Sequence, residues 1–467
     1  MKKIFIILAL LTTIVTRFYN LDTTARFIWD ESMDLVNTST LFHHFKITLI
    51  GPISEGGGKV FSAITYYLFL PFAALFRFDP VSTAYSTAFF GIITVVIFWM
   101  FLYQQKKLTK LTLLLPILLS PLLVSSRWAW NPHFIPLWQI LGFLILFSKV
   151  PYKYTLSGIV FGLTIHQHWY AFFACLGISF IVYKVSLKKI PDTLKYFFGL
   201  FLAILPFILF DITHPPGLFI SRMIYFSPVS PINGAFNFST LIHNLSILPI
   251  NFLSNFIGNS NLILIGLFIT PLLISLFKKQ SRHNYFLIPI VFQIIGLSLI
   301  SGDSYSHYYL PAVIPFLLWI SLNISQKSFQ LSSLLLLILF AFNIPKIFIN
   351  YDWTNNIQST RQVVNIIQQD QSKLPQKFNV ATLGSPDINT KARRYRDLLS
   401  LKNINPESPD DYQNISTLYV ISYQSDWTKL SKDPAYELDN FRKIIPSEIT
   451  KISNSDWYLY KISRTKN

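Results

Sequence analysis

Between residues 3 and 349 the chain alternates apolar runs with short basic loops, and this alternation limits its fold more than any other feature. The runs lie at 3–20, 82–103, 111–126, 133–148, 194–210, 261–277, 284–300, 309–323 and 329–349, each about 15 to 22 residues and most near the length a helix needs to cross a bilayer. A further long apolar stretch lies at 154–183. Backbone polar groups in lipid must be paired internally, and runs of this length satisfy that requirement as helices. With 52% hydrophobic and 13% charged residues and a mean hydropathy of +0.43, the chain reads as an integral membrane protein. Met1-Lys2-Lys3 precedes an apolar run with no small-residue cleavage site, and Arg17 closes it, which predicts an uncleaved anchor helix. The lone Cys175 sits in an apolar run and excludes a disulfide framework or a cysteine metal cluster.

The net charge of +17 does not mark a nucleic-acid partner, because of where the charges lie. Lys2 and Lys3, the QQKKLTK run at 104–110, Lys149 with Lys153, the Lys184–Lys195 segment, KKQSRH at 278–283 and Lys327 fall between the apolar runs, with Asp192 as their lone acid. The positive-inside rule assigns these loops to the cytoplasm. Lys149/Lys153 and Lys184/Lys188/Lys189 then share a side, so 154–183 is expected to be a hairpin of two short spans with His166-Gln167-His168 at its outer tip. By the same parity, 60–76 is expected as a juxtamembrane helix that returns to the outer face.

The expectation is an α-helical polytopic membrane domain over residues 1–349, with about eleven spans, the N-terminus inside and the C-terminus outside. Its first outer loop is 22–81. Residues 350–467 change to polar composition, with an amphipathic helical pattern near Ile357–Gln369 and strand-like runs at Phe378–Leu383, Leu418–Tyr423 and Trp457–Ile462. They predict a small extracytoplasmic α/β domain. The lysine-rich loops suit a prokaryotic plasma membrane.

The first outer loop carries FIWDESMD, residues 27–34. On a helix Asp30 and Asp34 share a face, while Glu31 diverges from Asp30 by about 100 degrees. A carboxylate partly desolvated by aromatic neighbours can serve as a general base; the plainer role is an acidic helix start that favours the dipole. Three further apolar-to-polar junctions are assigned to the same side: SSRWAWNPH at 125–133, IHQHWY at 165–170 and SHYYLP at 306–311. Ionisable groups at membrane depth cost about 2.5 to 3.5 kcal/mol each, so their gathering on one side points to a polar site. His166, His168 and His307 raise a zinc reading, against which local hydrogen bonding is the more common role. Trp128 and Trp130 fit sugar stacking and an interfacial belt equally well. GGGK at 56–59 lacks the first glycine and the final Ser/Thr of a phosphate loop.

This arrangement resembles the GT-C membrane glycosyltransferases, in particular the protein O-mannosyltransferase and lipid A aminoarabinose transferase branch. The similarity is carried by RFYNLDTTARFIWDESMDLV, GPISEGGGKVFSAITYYLFLPFAALF, AYSTAFFGIITVVIFWMFLY and SRWAWNP within 15–150, and more loosely by SHYYLPAVIP. The resemblance implies a polyprenyl-phosphate sugar donor, a hydroxyl acceptor and Asp30 as the base that deprotonates it. It implies acceptor or metal placement for Glu31; a divalent metal ion is the one cofactor left open, with Asp30 and Glu31 as its candidate ligands. Lys59, Arg127 and Arg222 are the candidate partners of the lipid phosphate, and Asp34, His168, His307 and Tyr308 complete the candidate substrate contacts. The chain departs from the family's proline pair before the juxtamembrane helix, where it has Glu55-Gly56-Gly57-Gly58-Lys59. The runner-up is a transporter or flippase of a lipid-linked saccharide, disfavoured by largely apolar spans and by the lack of related halves.

Overall fold

The computed structural model describes residues 3–45, 47–53, 60–221, 238–277, 283–299, 305–349, 357–383, 391–453 and 455–464. The chain divides into two units: Met1–Tyr19, Thr48–Leu68 and Ser86–Ile349 form one, and Asn20–Ile47, Phe69–Tyr85 and Asn350–Asn467 the other. The second unit therefore joins first-loop segments to the C-terminal domain, which a single division at 349/350 does not.

Among the described residues, the first unit is helical apart from the short hairpin Ile50–Ile53 with Val60–Ser62 and the loops between elements. Among the described residues, three helices are long and apolar enough to cross a bilayer alone: Lys3–Thr24, Ser82–Gln104 and Lys189–Thr213. A fourth candidate is the pair Leu241–Ile257 and Leu262–Phe277, bent by 93°. Other runs expected as spans are shorter helices, among them Ala171–Val185 and Asn284–Ser298.

The 111–126 run, expected as one helix, is two: Lys110–Leu118 and Ser120–Ser125, with a break at Leu119. Pro121 has no N–H to offer the carbonyl four residues back, Ile117. The buried Arg17 guanidinium supplies the missing donors, reaching Ile117 O at 2.7 Å and Pro116 O at 3.0 Å. The stretch 154–183 does divide, into Lys153–Gln167 and Ala171–Val185, and turns at His168-Trp169-Tyr170. Lys153–Gln167 lies against Lys189–Thr213 at backbone contact: a Cβ on Gly158 would meet Tyr196 O at 2.2 Å, and one on Gly199 would meet Thr155 O at 2.1 Å. Gly158-x-x-x-Gly162 facing Gly199-x-x-x-Ala203 is the small-residue seam by which apolar helices approach closely. The helix Phe238–Ile257 was not among the expected runs, because His243, Asn244, Asn251 and Asn255 dilute its apolar pattern.

In the second unit, Phe378–Leu383 pairs parallel with Thr417–Ser422, which pairs antiparallel with Tyr458–Ser463, with Glu448–Lys451 outermost. The first two strands are buried along their whole length, Asn379 and Thr382 included, so neither shows an alternation of apolar and polar residues. Leu418, Val420, Tyr460 and Ile462 pack with Tyr412, Leu438 and Phe441 on one face. From the alternate positions, Tyr419 reaches Asp370 and Gln371 of the helix Ile357–Lys373 through its hydroxyl. The strand Glu448–Lys451 is largely exposed and carried no strand pattern, and the helix Arg393–Leu401 was equally unforeseen.

Candidate functional site

FIWDESMD starts the helix Trp29–His44, whose N-cap position is Ile28. Isoleucine offers no side-chain acceptor for the first-turn N–H groups, the poorest choice for that position. Glu31 satisfies one donor of the helix start by accepting the Ile28 N–H at 2.7 Å. That bond, with burial to 1% exposure, commits Glu31 to the helix start. Asp34 is buried to the same degree, whereas Asp30 is half-buried. The three acids therefore occupy different environments, and Asp30 is the one with access to solvent.

The helix packs on Arg393–Leu401 of the C-terminal domain. The Ser32 hydroxyl lies 2.8 Å from Asp397 Oδ2, and Arg394 Nη1 donates to Phe27 O at 3.2 Å. Ile357 N donates to Ala25 O at 3.0 Å, and Arg361 holds Asp22 O and the Asp79 carboxylate. Burial pushes the Asp397 carboxyl above the usual carboxylate range, against the opposing pull of Ser32, Arg393 and Arg396. A raised folded-state value means that stability is fully present below the unfolded value and falls as pH rises through the folded one. Asp397→Asn is therefore expected to raise Tm at pH 7.5, with the gain closing below about pH 4; thermal melts of the two proteins across pH check this. These residues lay outside the sequence expectations; the RRYRD run at 393–397 was their only trace.

In the first unit a second constellation forms around His307. Its ring lies 4.4 Å from Trp130, 5.0 Å from His168 and 4.3 Å from Tyr308. Trp128 stacks on Trp130 at 4.7 Å, and Tyr170 meets Tyr308 edge-on at 4.5 Å. Phe61 stacks on His168 at 5.4 Å. The junctions SSRWAWNPH, IHQHWY and SHYYLP thus meet through His168, Trp130, His307 and Tyr308. Polar atoms anchor the arrangement from behind: Asn131 Nδ2 donates to Gln167 O, Thr65 Oγ1 donates to Gln167 Oε1, and His133 Nδ1 sits 2.7 Å from Trp128 O. A cavity of about 170 Å³ opens beside it, lined by Trp128, His133, Asn255, Ser306 and His307 among others.

Two expected members are placed elsewhere. His166 is buried, with Nε2 2.7 Å from Ala203 O and its ring 4.3 Å from Phe207, so it does not share a metal site with His168 and His307. Among the described residues no group of three or more His, Cys, Asp or Glu side chains is arranged to hold a metal ion. Arg127 is 1% exposed and donates from Nη1 to Thr16 O and Arg17 O at 3.2 and 3.1 Å. It closes the C-terminal end of Lys3–Phe18, as Arg17 closes that of Lys110–Leu118. Lys59 and Arg222 lie outside the described residues.

No family model and no curated protein matches the sequence. The structure is similar to that of ArnT from Cupriavidus metallidurans bound to undecaprenyl phosphate, with a TM-score of 0.61 at 8% identity over 98% of this chain and 97% of that one. It is similar to the apo state of the same protein, with a TM-score of 0.59 at 10% identity and the same coverage. ArnT is a lipid A aminoarabinose transferase of GT-C fold. From the anchor helix to the C-terminal sheet, the chain has the GT-C fold of that membrane transferase.

Proposed function

We propose that the protein is an inverting glycosyltransferase that moves a sugar from a polyprenyl-phosphate carrier to an acceptor hydroxyl at the outer face of the plasma membrane. The observation that carries this reading is the environment of Asp30, the half-buried acid of a helix start whose neighbours Glu31 and Asp34 are buried. ArnT, a protein of the same fold, is described bound to undecaprenyl phosphate, which supports the carrier class.

Asp30 takes the proton of the acceptor O–H as that oxygen attacks the anomeric carbon. The bond from that carbon to the phosphate oxygen breaks, and the polyprenyl phosphate leaves with the electron pair. A phosphate is a weakly basic leaving group, so no strong acid is needed opposite the base, unlike the paired carboxylates of glycosidases. One displacement inverts the anomeric centre. Trp128, Trp130, His168, His307 and Tyr308 present ring faces and polar edges suited to a sugar or lipid headgroup. A cationic partner for the phosphate is sought first among Lys59 and Arg222, since Arg127 donates to helix-end carbonyls.

The test is transfer of labelled sugar by the purified protein from a panel of polyprenyl-phosphate sugars, with product and released lipid phosphate measured together. Transfer with release of one lipid phosphate per product is expected. Movement of intact lipid-linked saccharide across vesicles without transfer would replace the enzyme by a flippase.

A further inference from the structure

We propose that Asp397 is a positioning residue, which by accepting the Ser32 hydroxyl fixes the first helical turn that carries Asp30. The proposal rests on the reading of Asp30 as the base. The turn has no capping hydrogen bond from the side chain of its N-cap residue, Ile28, and such a start is about 1 kcal/mol poorer than one with Ser, Asp or Asn. A general base must sit within hydrogen-bond reach of the proton it takes, and displacement of about 1 Å can cost about a hundredfold in rate. A hold on that turn from another chain segment therefore bears on the base.

The structure supplies that hold. Ser32 is two residues beyond Asp30 and is fully buried. Its one hydroxyl proton has two acceptors in reach, Trp29 O at 3.0 Å and Asp397 Oδ2 at 2.8 Å. The first is the local bond that helix serines commonly make; the second is shorter and goes to a carboxyl of another chain segment. Arg393 Nε lies 3.4 Å from the same Oδ2, and Arg394 fixes Phe27 O one turn upstream. Residues 27–32 are thus held by Arg394, by Glu31 and by Asp397, and two of these three belong to the C-terminal domain. That domain, which carried no evident chemistry in the sequence, is then part of what places the base.

The experiment uses the full chain and reads steady-state transfer together with hydrogen exchange of the 29–44 amides. Asp397→Ala and Ser32→Ala are each expected to lower kcat by about tenfold to a hundredfold at nearly unchanged donor KM. The double variant is expected to be no worse than the singles, because they remove one interaction. Amides of the first turn are expected to exchange faster in each. Asp397→Asn, whose amide oxygen still accepts from Ser32, is expected to recover most of the rate. Unchanged kcat and exchange in Asp397→Ala, with Asp30→Asn inactive, overturns the positioning role and leaves the base intact. Full transfer by Asp30→Asn overturns the base and the positioning role with it. A drop in Tm without a drop in kcat per folded protein likewise overturns it.

Discussion

Asp30→Asn is expected to lower kcat by about 10²- to 10⁴-fold, the usual worth of a positioned general base. The substitution keeps the side chain's size and its place in the first turn, and the loss of charge there costs the helix start about 0.3 to 1 kcal/mol. The amide takes no proton from an acceptor hydroxyl, so the loss falls on the chemical step. Saturating labelled donor, with lipid binding measured separately, separates the two effects: donor affinity within about twofold of wild type is expected beside the collapsed rate. Glu31→Ala should behave differently. Its carboxylate accepts the Ile28 N–H, so its loss would appear in stability and in the order of the turn before it appears in chemistry.

Removal of residues 350–467 is expected to abolish transfer altogether. The reason lies in the composition of the second unit, where Asn20–Ile47 and Phe69–Tyr85 are grouped with Asn350–Asn467. The acidic helix Trp29–His44 packs on Arg393–Leu401, which the deletion removes. Deletion would also strip the Phe27, Ala25 and Asp22 carbonyls of their donors from Arg394, Ile357 and Arg361. The truncated chain is expected to remain monodisperse in detergent through its first unit and to show no labelled product. Transfer near the wild-type rate would make the C-terminal domain an accessory module and detach it from the acidic helix.

How much of this was legible beforehand depends on which interactions act locally. Apolar runs identify helices because the bilayer is a uniform solvent, and the pattern is contiguous in sequence. The strands Phe378–Leu383 and Thr417–Ser422 were readable because β-branched, aromatic and other apolar residues predominate in both. The division of 154–183 followed from charge parity alone. The break at Leu119 was not read, although Pro121 announced it, because the run's hydropathy masked the missing donor. Phe238–Ile257 escaped because its asparagines lowered the apolar signal that a bilayer-length search depends on.

The candidate site shows the same boundary. The sequence by itself determined that the chain reads as a membrane protein, that Asp30 and Asp34 would share one face of a helix, and that histidine and aromatic residues recur at apolar-to-polar junctions. Those properties depend on residue type and spacing along a few turns. Only the tertiary structure decided that Arg127 donates to the end of the first helix, that His166 turns away from His168 and His307, and that Ser32 meets a carboxyl 365 positions further along the chain. Such assignments come from hydrogen-bond partners brought together by chain reversal, and no local pattern encodes which distant donor a carbonyl or carboxylate will meet.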